Sequence, residues 1–285
     1  MSSFKTIDDL DVAGKRVLVR LDLNVPMRDG RVTDTTRIDR STDTIRDLTA
    51  AGAAVIVISH FGRPHGQVVP EMSLQPVARM LSEALNRDVS FATDCIGPEA
   101  EAAAGAVAMG GVTMLENLRF HVEEEANDTD FASQLARLAN VYVNDAFSCA
   151  HRAHASTEAI ARLLPSAAGR LMSAELDALS KALETPQRPV AALIGGAKIS
   201  SKMTVLGHLV NQVDQLIIGG GMANTFLHAQ GIDIGKSLCE TDMANAALRI
   251  LGQAVAAGCE VVLPIDAVIA REFAEGSPSE TVLLD

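Results

Sequence analysis

Ala54-Val55-Ile56-Val57-Ile58 runs without a polar break into Ser59-His60-Phe61-Gly62-Arg63-Pro64. A strand with one face in water alternates apolar and polar residues. A run apolar at every position is buried on both faces, as in a parallel sheet covered by helices on either side. The same form recurs where Val112-Thr113-Met114-Leu115 leads into Glu116-Asn117-Leu118-Arg119-Phe120-His121. It recurs again where Val141-Tyr142-Val143 leads into Asn144-Asp145 and then His151-Arg152-Ala153-His154. In an open parallel sheet the carboxyl ends of the strands share one edge, where ligands bind. The arginines and histidines behind these strands are therefore expected to converge. In a chain of formal net charge −12, that convergence predicts a local cup for a small, strongly anionic ligand.

Outward from this stretch the chain alternates strand and helix. Strands are predicted over 16–21, 54–58, 89–92, 112–115 and 141–143, with helices over 42–51, 73–86 and 129–138 between and after them. A helical pattern over 174–183 is stopped by Thr185-Pro186-Gln187-Arg188-Pro189 and reads as the joint between two domains. The alternation then restarts, with strands over 190–194, 215–218 and 260–263 and helices from about 199, after Gly219-Gly220-Gly221 and over 242–257. The expected fold class is α/β: two doubly wound parallel-sheet (Rossmann-like) domains joined by a hinge helix. The expected boundaries are 1–172, 173–187 and 188–285. The second domain is expected to be incomplete, since a full doubly wound sheet needs further strand–helix units after Asp285.

Composition narrows the function. A chain of 285 residues suits two cores. Its acidic balance argues against nucleic acid or an anionic membrane as partner. Cys95, Cys149, Cys239 and Cys259 show no CxxC spacing, which points to a reducing, cytoplasmic setting. The acidic start through Asp8, Asp9 and Asp11 predicts no secretory signal, and no apolar run reaches membrane-spanning length.

Gly195-Gly196-Ala197-Lys198-Ile199-Ser200-Ser201-Lys202 follows a strand. Its glycines let the backbone approach an anion, and its two lysines, four apart, are expected on one side of a helix start. This is a candidate polyphosphate site, and Gly219-Gly220-Gly221 is a weaker one. Gly231-Ile232-Asp233-Ile234-Gly235-Lys236-Ser237 imitates a Walker A loop but has three residues between its glycines where that loop needs four. The pair His151 and His154 lacks further ligands at a metal-binding spacing. Glu123-Glu124-Glu125 reads as a solvated run.

Six segments together closely resemble phosphoglycerate kinase: Arg20-Leu21-Asp22-Leu23-Asn24-Val25-Pro26, Ser59-His60-Phe61-Gly62-Arg63-Pro64, Glu116-Asn117-Leu118-Arg119-Phe120, Val143-Asn144-Asp145-Ala146-Phe147, Ala150-His151-Arg152-Ala153-His154 and Gly195-Gly196-Ala197-Lys198. The resemblance implies a first domain that holds 3-phosphoglycerate or 1,3-bisphosphoglycerate, a second that holds ADP or ATP with Mg2+, and a hinge that closes them. It implies that Asp22 and Asn24 bond the glycerate. His60, Arg63, Arg119 and Arg152 would cradle the distal phosphate, with Phe61 and Gly62 in the same segment. Arg37 and Lys198 would act on the transferring group. Gly195, Gly196, Ala197, Lys198, Lys202, Gly219 and Gly220 would bind the nucleotide. A monomer is expected.

The chain departs from the family pattern in Leu23 and Phe61, and in Ser148-Cys149, which replaces a Gly-Thr pair and bears on hinge flexibility. It also lacks the family's final segment, whose aspartate helps hold the metal, so no metal ligand is expected among these residues. The alternative is a truncated module that binds 3-phosphoglycerate without transfer. A dinucleotide-dependent dehydrogenase is disfavoured because neither glycine turn continues as GxGxxG.

Overall fold

The structure, a computed structural model, describes residues 4–28, 30–184, 186–272 and 274–284, the side chain of Leu183 excepted. Two compact units divide between residues 177 and 178.

In the first unit, six strands form one parallel sheet: β1 (Arg16–Arg20), β2 (Ala54–Ile58), β3 (Val89–Phe91), β4 (Val112–Met114), β5 (Val141–Asn144) and β6 (Ser166–Ala168), in the order β3-β4-β2-β1-β5-β6. Central strand β1 pairs with β2 from Arg16↔Ala54 to Arg20↔Ile58, and with β5 up to Arg20↔Asn144. The alternation of Cβ directions sends Val17 and Val19 into one core and Leu18 into another. Val17 and Val19 pack with Ile45, Leu48, Val77 and Leu81, from helices α1 (Thr36–Ala50) and α2 (Gln75–Leu85). Leu18 packs with Ala100, Ala104, Phe131 and Leu135, from α3 (Gly97–Ala106) and α4 (Thr129–Ala136). Both faces of the sheet are covered, as the unbroken apolar runs require. The chain winds away from β1 through β2 and then crosses to β5 on its other side. The crevice at the carboxyl ends around β1 is therefore the expected ligand position.

Several elements differ from expectation. Helix α1 begins six residues earlier than residue 42, because Asp34 accepts from the Thr36 amide at 2.7 Å and Thr35 donates to Asp39 at 2.8 Å. This places Arg37 in its first turn. Helix α3 is alanine-rich with little apolar asymmetry, and β6 is Ser166-Ala167-Ala168, so neither carries a periodic signal. Helix α5 (Arg170–Leu183) starts four residues earlier than residue 174. Asp145 accepts from the Met172 amide at 2.9 Å, the Arg170 amide donates to Thr44 at 2.8 Å, and the Arg170 guanidinium pairs with Asp8 and Asp47.

In the second unit, β7 (Ala191–Gly195), β8 (Gln215–Gly219) and β9 (Glu260–Val262) form a parallel sheet in the order β9-β8-β7. Helices α6 (Met203–Leu209), α7 (Gly220–Ala229) and α8 (Ala244–Ala257) accompany it. Leu206, Phe226 and Ile250 meet Leu216 and Ile218 in its core. Strands β10 (Asp266–Ala270) and β11 (Ser279–Leu283) then pair antiparallel, a feature the strand–helix alternation does not anticipate. None of the described helices is long and apolar enough to cross a membrane.

Gly169 lies so close to the Asp145 carboxylate that a Cβ there would overlap it. Gly169→Ala is expected to lower unfolding stability by about 1–3 kcal/mol, the usual cost of overpacking, measured as a shift in the urea midpoint.

Candidate active site

Side chains that follow the four central strands line a cavity of about 310 Å³: Asp22, Asn24, Arg37, His60, Gly62, Arg63, Arg119, Ser148, Cys149 and Arg152. Their loops are knitted together. Ser59 accepts from the Leu23 amide at 3.0 Å and donates to the Leu21 carbonyl at 2.8 Å, tying the loop after β2 to the loop after β1. Asn117, fully buried, uses both ends of its amide. Its oxygen accepts from the Phe61 and Arg119 amides, and its nitrogen donates to the Phe61 and Met72 carbonyls. Glu116 accepts from Ser73, Leu74 and Asn117. The Asn24 side chain accepts from the Gly62 amide at 3.1 Å, and Arg119 donates to the Gly62 carbonyl at 2.7 Å.

Four guanidinium groups and one carboxylate line this space, leaving an excess of three positive charges. Those of Arg63 and Arg152 have no protein acceptor among the described residues, so their donors remain for a ligand. Arg37 donates to Asp22 at 2.5 Å, and Ser148 donates to the same oxygen at 2.5 Å. Burial works to raise the Asp22 carboxyl, but the Ser148 hydroxyl, the Asn24 amide and Arg37 outweigh it and hold the group below its ordinary value.

His60 is 4% exposed and accepts at Nδ1 from Arg20 at 3.1 Å. Arginine has no acceptor, so Nδ1 carries no proton and Nε2–H becomes the ring's donor. Burial, with Arg20 and Arg119 alongside, pulls the imidazole down to about 3. His60 is therefore a neutral hydrogen-bond donor at physiological pH.

Behind His60 lies a network absent from the sequence reading. Arg20 is 1% exposed; it donates to the Leu21 carbonyl and, at 3.0 Å, to the Ser156 hydroxyl. Ser156 in turn gives its hydroxyl (2.6 Å) and its amide (2.9 Å) to Glu124. Glu124 is wholly buried, which corrects the reading of Glu123-Glu124-Glu125 as a solvated run.

The histidines do not all converge. His121 bonds Asp94 at 2.7 Å and lies against the Phe131 ring. His154 sits 3.8 Å from Glu124. His151 is exposed and, like both of these, absent from the cavity wall. Phe61 packs against the first core and not into the cavity. Ser148 and Cys149, read from sequence as bearing on hinge flexibility, are cavity wall. A larger hollow of about 730 Å³ in the second unit sets Arg271 against Glu272 and Glu280 and gathers no comparable charge.

In the second unit, Gly195 and Gly219 end adjacent strands in register, so the two glycine turns abut. Gly220 has φ +66°, and a Cβ there would lie 3.2 Å from Gly196 N and O. The Met222 amide donates to the Gly196 carbonyl at 2.8 Å. Ala197 and Lys198 are exposed, and Lys202 is half-buried beside Gly196. The helix expected from residue 199 is a 3-10 turn over Ser200–Lys202 before α6. Lys198 precedes it, so the two lysines do not share a helical face.

The profile of the phosphoglycerate kinase family matches residues 7–284. The chain belongs to the phosphoglycerate kinase family. It is 58% identical over 282 residues to a phosphoglycerate kinase of Ruegeria sp. (strain TM1040), covering 99% of this chain and 71% of that one. It is 58% identical over 281 residues to that of Rhizobium meliloti (strain 1021), covering 98% and 70%. The structure of phosphoglycerate kinase from Coxiella burnetii superposes with a TM-score of 0.85 at 42% identity, covering 98% of this chain and 71% of that one.

His60 gives the site a pH signature. An imidazole held at about 3 when folded, against about 6.5 when unfolded, binds fewer protons in the native state between those values. Native stability should therefore fall as pH drops from 6.5 toward 3. His60→Gln is expected to make that acid decline shallower, measured by urea unfolding across the interval; identical slopes would exclude a neutral, buried His60.

Proposed function

We propose that the chain transfers a phosphoryl group reversibly between 1,3-bisphosphoglycerate and ADP, giving 3-phosphoglycerate and ATP. The observation that carries this reading is the excess of three positive charges in the first unit's cavity. It matches the charge of 3-phosphoglycerate, a phosphate dianion with a carboxylate. Arg63 and Arg152, with donors uncommitted, and Arg119, whose Nε lies 3.0 Å from Glu125, are assigned to the phosphate together with the Nε2–H of His60. Asp22 and Asn24 are assigned to the glycerate hydroxyl and carboxylate region. Gly62 keeps its place in the floor, and Phe61 contributes through its backbone.

Phosphoryl transfer spreads negative charge over the equatorial oxygens, so it calls for placed cations and no protein nucleophile. Arg37 and Lys198 are assigned that role, and Lys202 with the turns at Gly195, Gly196, Ala197, Gly219 and Gly220 receives the nucleotide phosphates. Transfer then requires closure about α5, which also removes water that would hydrolyse the acyl phosphate.

Mg2+ prefers hard oxygen ligands. Among the described residues, the groupings close enough to hold an ion are Asp22-His60-Cys149 and Asp94-Cys95-His121. Both contain softer donors, and the first is ringed by arginines. Neither grouping among the described residues offers the oxygen-only shell that Mg2+ prefers, and the ion is assigned to the nucleotide with which it arrives. The reading includes a cytoplasmic setting, which four free cysteines suit, and a monomer.

Arg63→Ala or Arg152→Ala is expected to weaken 3-phosphoglycerate binding by about 1.5–3 kcal/mol, the worth of a hydrogen bond to a charged group, in calorimetric titration. Unchanged affinity would remove that residue from the phosphate cradle.

A further inference from the structure

Three segments of the second unit meet beside the first glycine turn. A Cβ on Gly221 would lie 3.2 Å from the Ala197 carbonyl oxygen and 3.1 Å from the Leu238 side chain. Asn224 on α7 donates to the Leu238 carbonyl at 3.0 Å, and the Glu240 amide donates to the hydroxyl of Thr225 at 3.2 Å. Thr225 is fully buried, so residues 238–240 are fastened to the helix that begins at the second glycine turn. From this anchored position Glu240 reaches back to the first turn. Its carboxylate accepts from the Ser200 amide at 3.0 Å and from the Ser200 hydroxyl at 2.6 Å. Ser200 lies midway between Lys198 and Lys202.

We propose that Glu240 is a positioning residue for nucleotide binding: it braces Ser200 against α7 and holds the 195–202 turn ready for a nucleoside diphosphate before the ligand arrives. The inference rests on assigning that turn to the nucleotide phosphates. Glu240 itself touches no ligand in this scheme. Its Ser200 contacts hold its carboxyl below the ordinary value, and the nearby charge of Lys198 adds to the effect. A turn already ordered loses less conformational freedom on binding, and that saving appears as affinity. A carboxylate bonded at both oxygens to one residue suits a brace better than a solvated charge does.

Glu240→Ala, Glu240→Gln and Lys202→Ala are compared with the unaltered chain by titration with ADP and, separately, with 3-phosphoglycerate. Hydrogen exchange of the 195–202 segment is followed alongside. Glu240→Ala is expected to speed exchange there and weaken ADP binding by roughly tenfold, equivalent to about 1.4 kcal/mol, with 3-phosphoglycerate affinity unchanged. Glu240→Gln retains an oxygen acceptor and is expected to restore most of both losses. If Lys202→Ala weakens ADP binding and Glu240→Ala does not, the brace is wrong while the turn's assignment survives. Loss of both ligands in Glu240→Ala would reduce the residue to general stability and overturn the proposal. ADP affinity indifferent to Lys202→Ala would overturn the turn's assignment, and the brace with it.

Discussion

A guanidinium buried at the carboxyl end of the central strand sets the terms for the rest of the first unit. Arg20 is 1% exposed, and a charge so placed is costly unless it is paired and fully hydrogen-bonded. The chain meets the requirement at a distance. Glu124, also wholly buried, supplies the compensating charge, and Ser156 stands between them as a two-sided linker. Tyr142 closes the arrangement from below by donating to the Ser156 carbonyl at 2.7 Å. Once Arg20 is fixed, His60 follows, because the only role its Nδ1 can take against an arginine is acceptor. A structural solution to one buried charge thereby selects the tautomer of a side chain in the cavity wall.

The loops above this layer depend on a second device, the saturation of polar groups by backbone partners. Asn117 and Glu116 spend their side chains almost entirely on main-chain amides and carbonyls of neighbouring loops. Such bonds fix segments that have no regular structure of their own, and leaving them unmade in a buried setting is expensive. The arginines lining the cavity can then keep donors in reserve, since their placement does not rest on their own hydrogen bonds alone.

Much of this was legible in the sequence. Unbroken apolar runs revealed strands β1, β2, β4 and β5, and the polar stretches after them held Asp22, Asn24, His60, Arg63, Arg119 and Arg152, all of which line one cavity. What failed to show followed from physical causes. Arg20 ends an apolar strand, a position where an arginine ordinarily reaches solvent, and only its pairing with a distant glutamate makes it internal. Glu124 sits between two other glutamates, and nothing local distinguishes the buried one. His121 and His154, like His60, lie in polar stretches that follow a strand, but further from its end; His121 bonds Asp94 and neither reaches the cavity wall. In the second unit, Glu240 acts on a turn 40 residues away, beyond any local pattern.

The registers of β1 with β2 and β5 bring Arg20, Ile58 and Asn144 level with one another. The loops after these three strands therefore depart from one level. A residue gained or lost in a connection that enters a strand need not move these departure points. A single residue gained within β1 would exchange its two sets of side chains between the cores and displace the cavity-lining residues after it. A change in chain length is thus easier to absorb on one rim of the sheet than inside it, where it would move the cavity wall.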